Sequence, residues 1–100
     1  MENTLSGSTK EQFDKAKRWW FVFLNDEQRL YLIMLWFNTE TNVKIDIHSN
    51  DTYFDWYVRH PFKNEVYTSN RDVNKNPFRN HFECLKEAIN KADSVFNRLN

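Results

Sequence analysis

Val43-Lys44-Ile45-Asp46-Ile47-His48, then Ser49-Asn50-Asp51-Thr52, then Tyr53-Phe54-Asp55-Trp56-Tyr57-Val58-Arg59 is the stretch that decides the fold of this 100-residue chain. Val43, Ile45 and Ile47 alternate with polar residues, and Phe54, Trp56 and Val58 repeat the pattern beyond the turn. A period of two sends successive side chains to opposite faces, so both runs read as half-buried strands. Ser49-Asn50-Asp51 supplies turn chemistry, which makes the pair antiparallel. Pro61 stops the second strand because it has no amide for the ladder. A short third strand follows at 65–69.

On either side of these strands the period becomes helical. Phe78, Phe82, Leu85, Ile89, Ala92, Phe96 and Leu99 step by four and three, and Ala88 and Val95 widen the stripe. Asn80 is placed to cap this helix with Glu83 at its third position, and Glu87 with Lys91 makes an i,i+4 pair. Toward the N-terminus, Thr9-Lys10-Glu11-Gln12 has the form of a capping box. It opens a helix expected over 9–24 on Phe13, Ala16, Trp20, Phe23 and Leu24. Asn25 followed by Gln28, with Asp26 and Glu27 between, opens a second helix that carries 30–37. The continuous apolar runs 19–24 and 30–37 also fit a hairpin turning at 25–28, because periodicity does not separate a buried helix from a buried strand. The unbranched Leu30, Leu32, Met34 and Leu35 favour the helix.

The expected fold is therefore α+β, in the order α-α-β-β-β-α. A three-stranded antiparallel meander packs on a long C-terminal amphipathic helix, which gives each apolar face a second layer. Residues 1–8 read as a disordered tail and 9–100 as a single domain.

Fourteen basic and fourteen acidic residues cancel, so no global field draws nucleic acid or anionic lipid. The run 19–37 is broken by Asn25-Asp26-Glu27-Gln28-Arg29. Each charge there would cost about 2.5–3.5 kcal/mol in a bilayer, so no membrane span is expected. One cysteine, Cys84, and a polar start without an apolar leader point to a cytoplasmic protein. Thirteen asparagines against one glycine suggest an AT-rich coding sequence, as in many phages and mobile elements.

Chemistry-bearing patterns are sparse. With Gly7 the only glycine, a glycine-rich phosphate cradle or nucleophile elbow is excluded, and no cofactor is expected. His81 and Cys84 stand one helical turn apart, but zinc needs three or four ligands and only His48 and His60 remain to add. His48-Ser49-Asn50-Asp51 holds the letters of a hydrolytic triad on one turn, where they cannot converge on a substrate atom. Asp46 and Asp55 alternate with core positions and are expected in solvent, where they suit no acid–base role. No catalytic or metal-binding residue is assigned.

Two surfaces remain. Lys44, Asp46, His48, Tyr53, Asp55, Tyr57, Arg59, Glu65 and Tyr67 are expected to share the outer face of the meander. Tyr53, Asp55, Tyr57, Arg59 and Tyr67 are its candidate partner-binding residues, since tyrosine and arginine are typical of interfaces. Between 59 and 81, Arg59, Lys63, Arg71, Lys75 and Arg79 outnumber Glu65 and Asp72. They are the alternative, a phosphate-contacting nucleic-acid rim. The order α-β-β-β-α after the first helix resembles the double-stranded-RNA-binding domain. The lysine-rich start of that family's last helix is replaced here by His81-Phe82-Glu83-Cys84, and the family is not assigned.

The apolar runs 19–24 and 30–37 exceed what one meander and one helix can cover. Left exposed, the remainder would surpass the roughly 300–600 Å² of a monomer's largest patch. The expectation is a non-catalytic protein–protein interaction module that binds another protein or forms a homodimer. A small phage or mobile-element inhibitor or accessory factor would fit.

Overall fold

The computed structural model describes residues 5–49, 54–69 and 80–99. Helix α1 spans Gly7–Ala16, a 3-10 turn spans Trp19–Phe23, and α2 spans Asp26–Glu40. Strands β1 (Lys44–Ser49), β2 (Phe54–His60) and β3 (Glu65–Thr68) then form an antiparallel sheet in that order, and α3 spans His81–Leu99. The class and order are those the sequence implies. The turn expected at residues 50–53 lies outside the described residues.

Residues 26–40 are helical, which decides between helix and hairpin. The Gln28 amide donates to Asn25 Oδ1 at 2.8 Å and the Asn25 amide donates to Gln28 Oε1 at 3.1 Å, a complete capping box. Asp26 and Glu27 add carboxylates in the first turn, where the helix dipole favours them. At the other end the Thr41 hydroxyl donates to the Phe37 carbonyl at 2.8 Å.

The first helix differs from expectation. It ends at Ala16; Lys17 and Arg18 are extended, and 19–23 form the 3-10 turn. Five consecutive aromatic or β-branched residues have poor helix propensity, and the break lets Phe21 turn inward while Trp19 and Phe23 turn out. The N-cap is Ser6 rather than Thr9. Thr9 is fully buried, its hydroxyl donating to the Asp93 carbonyl at 3.4 Å and its amide to Asn97 Oδ1 at 3.1 Å. Leu5 to Ser8, which the sequence assigns to the tail, lie against α3: Leu5 is buried and Ser6 bonds to Asp93.

The register pairs Ile45 with Val58 and Ile47 with Trp56 on one face of the sheet. That face packs on Leu85, Ala88, Ile89 and Ala92 of α3, while Leu30, Ile33 and Phe37 of α2 close the core beside it. Asn38 ties α2 to β1: its Nδ2 donates to the Ile45 carbonyl at 3.0 Å and its Oδ1 accepts from the Ile45 amide at 2.7 Å. Asn80 caps α3 by accepting from the Phe82 amide at 2.8 Å. The expected Glu87–Lys91 pair gives way to tertiary partners. Trp56 Nε1 donates to Glu87 at 3.4 Å, and Lys91 Nζ stands 4.1 Å from the Tyr67 ring centre.

Candidate interaction surface

The helical layer covers one face of the sheet, so the other face can be read directly from the register. Lys44 pairs with Arg59, Asp46 with Tyr57 and His48 with Asp55, and Val66 and Thr68 continue the same face on β3. Tyr57 and Arg59 stand where the sequence places them. His48 and Tyr57 rings lie 4.7 Å apart, and Arg59 Nε is 3.5 Å from Asp46 Oδ2. That ion pair is half-exposed at both ends, so it contributes at most about 1 kcal/mol.

Of the five candidate residues, Tyr67 stands on the other face, and Asp55 keeps its face but is buried there. Tyr67 pairs with Val58 and Glu65 with His60, both on the helix side. The 3-10 turn Pro61–Lys63 and left-handed Asn64 set a register in which odd positions of β3 face α3. There the Tyr67 hydroxyl donates to Glu65 at 3.0 Å and accepts from Arg98 at 2.8 Å. Asp55 is not solvated: it is 7% exposed, next to buried Trp56, so this end of β2 is enclosed on both faces. Tyr53 lies outside the described residues. Of the alternative nucleic-acid set, Arg59 is paired with Asp46 and Lys63 is exposed on the 3-10 turn. Arg71, Lys75 and Arg79 lie outside the described residues.

His81 Nδ1 is 3.0 Å from the Tyr31 hydroxyl, and its ring meets Phe54 edge-on at 5.2 Å. His60 Nδ1 accepts from the Lys63 amide at 3.2 Å. Cys84 is fully buried; burial, aided by the charges of Asp55 and Glu87, pushes its thiol up to about 12. Among the described residues, no three His, Cys, Asp or Glu side chains gather in a way that could hold a metal.

An open apolar surface gathers on the 3-10 turn and α2, within the apolar runs 19–24 and 30–37. Trp19 is 79% exposed, Phe23 77%, Val22 59%, Leu35 54% and Trp20 40%. At about 150–250 Å² per aromatic side chain, Trp19, Phe23 and Trp20 expose roughly 300–500 Å², and Val22 and Leu35 bring the five to roughly 500 Å² or more. That is the upper end for a monomer's largest patch. A cleft of about 310 Å³ adjoins them between the 3-10 turn and α2. Buried Phe13 and Trp36 meet edge-on at 5.5 Å among its lining, with Phe21 5.2 Å from Phe13. Trp20, Leu32 and Leu35 also line it, and Lys17, Arg18 and Glu40 bring charge to it.

This surface is tied down. Arg29 Nε donates to the Phe21 carbonyl at 3.3 Å and its Nη2 to the Val22 carbonyl, with the guanidinium 5.7 Å from the Phe21 ring centre. A turn pinned from α2 loses little freedom on binding, which favours affinity. The apolar excess of 19–37 was the sequence signal for it. The position of the break at Lys17 and Arg18, which decides what is exposed, carried no such signal.

Comparison with protein-family models, curated proteins and solved structures gives no match. Among the described residues no helix is long and apolar enough to cross a membrane.

Proposed function

We propose that this chain is a non-catalytic protein–protein interaction module, working through the aromatic surface of the 3-10 turn and the adjoining cleft on α2. The observation that carries this reading is the exposure of Trp19, Val22 and Phe23 on a backbone anchored by Arg29. Large apolar side chains held mostly in water are costly, and contiguous patches of this kind mark association sites. Tryptophan at the centre of such a patch is the residue type most often found at binding hot spots. Tyr57 and Arg59 remain candidates for a subsidiary contact on the sheet face. The lone unpaired cysteine supports a cytoplasmic setting. The asparagine-rich composition supports a phage or mobile-element accessory factor.

The test is site-specific photo-crosslinking in cells, with the reactive side chain placed at Val22 or, as control, at exposed Lys86 on α3. A defined protein adduct is expected from position 22, absent from position 86, and lost in Trp19→Ala. Trp19→Ala should keep its circular-dichroism spectrum because that side chain is mostly in solvent. Equal labelling from both positions, or none from position 22, would refute the reading.

A further inference from the structure

We propose that the occupant of the cleft is a second copy of this chain, Trp19 of each protomer entering the cleft of the other across a two-fold axis. This rests on the reading of the aromatic surface as an interaction site. A two-fold interface needs a self-complementary patch, in which residue i meets j and j meets i. The 3-10 turn supplies both halves side by side. Trp19 projects outward with its ring 6.1 Å from Phe23, while its neighbour Trp20 lines the cleft.

Area and charge favour a second copy over an unlike partner. The five exposed side chains present roughly 500 Å², and a polar rim brings such a patch toward the ~800 Å² per partner of a stable interface. Arg18 and Glu40 both line the cleft, and neither side chain has a hydrogen bond or ion pair among the described residues. Lys17, by contrast, is 3.1 Å from Asp14. The two-fold sets Arg18 of each copy against Glu40 of the other, so both charges find partners. The net charge is zero, so no long-range repulsion opposes self-association. An anionic lipid surface fits less well, because Asp26 and Glu27 flank the aromatic turn on its far side.

The full chain is tested by light scattering on a sizing column from about 1 to 100 μM, the range over which micromolar interfaces dissociate. Wild type is expected at twice 12.3 kDa. Trp19→Ala should run as a monomer with an unchanged circular-dichroism spectrum. Arg18→Glu and Glu40→Arg should each weaken the dimer at least about tenfold, since each places like charges together twice. An equimolar mixture of those two variants should restore it, because both contacts are then opposite in sign. A mass of 12.3 kDa throughout overturns the second copy. If position 22 then crosslinks to another protein, the proposed function stands without it. If it crosslinks to nothing and the monomer sediments with mixed phosphatidylcholine–phosphatidylserine vesicles, both readings fall. Dimerisation that survives Trp19→Ala and both charge reversals overturns this interface.

Discussion

The backbone amide and the hydroxyl of Ser6 both donate to the carboxylate of Asp93, at 3.0 and 2.8 Å, joining residues 87 apart in the chain. Asn97 completes the clasp, with Nδ2 donating to the Ser6 carbonyl at 2.9 Å and Oδ1 accepting from the Thr9 amide at 3.1 Å. Together they seat the start of α1 on the last turns of α3.

Asp93→Ala is expected to lower stability by about 1–3 kcal/mol, because two donors on Ser6 lose a charged acceptor at a nearly buried site. Asp93→Asn should recover part of that loss, since its amide oxygen still accepts one bond. Urea unfolding read by circular dichroism gives the comparison. Equal midpoints for wild type and Asp93→Ala would show that the clasp contributes nothing.

Gly7 has φ of +53°, and a Cβ there would lie 2.9 Å from Asn97 Oδ1. Left-handed backbone costs a side-chain-bearing residue about 1–2 kcal/mol, and the contact adds to it. Gly7→Ala should therefore lower the melting temperature by several degrees, as about 4–8 °C accompanies each kcal/mol in a domain of this size. In an Asn97→Ala background the contact is gone, and the same substitution should cost less. An identical cost in both backgrounds would assign the whole effect to the backbone.

Cys84 links stability to alkaline pH. Its thiol ionises near 9.0 when unfolded, and burial, with Asp55 and Glu87, holds it to about 12 in the folded chain. Between those values the folded state binds more protons than the unfolded one. The contribution is thus complete below pH 9 and is lost as pH rises toward 12, at up to about 1.4 kcal/mol per unit. Cys84→Ala removes this titration. The stability gap between wild type and Cys84→Ala should narrow between pH values of about 8 and 10. A gap independent of pH would mean the buried thiol ionises normally.

Asn38→Ala should cost about 1–3 kcal/mol, because it strips both hydrogen bonds from the Ile45 backbone at the open edge of β1. A freed edge pairs with other strands. The variant is therefore expected to aggregate sooner on mild heating, followed by turbidity against wild type. A variant as soluble and as stable as wild type would remove Asn38 as the guard of this edge.

Local pattern carried most of the fold. The alternation of Val43 to Ile47 and Phe54 to Val58, the heptad-like stripe of α3 and the Asn25–Gln28 capping box each specify their element through contacts within a few residues. The candidate site was legible only as a surplus. Nothing in Trp19-Trp20-Phe21-Val22-Phe23 states which of the five turn inward, because a 3-10 turn and an α-helix present different sides of the same run.

What the sequence determined by itself was the order α-α-β-β-β-α, the antiparallel meander and an amount of apolar surface too large for one small core. These follow from periodicity and composition, which act locally or in sum. Tertiary structure alone decided that α1 begins at Gly7 and ends at Ala16, that Tyr67 leaves the open face while Asp55 is buried on it, and that Trp19 and Phe23 remain in water. Each depends on a partner in another element: Asp93 for Ser6, Arg98 for Tyr67, Arg29 for the carbonyls of Phe21 and Val22. Such pairings are settled by which groups the packed core brings within hydrogen-bonding reach, and no run of neighbouring residues encodes that distance.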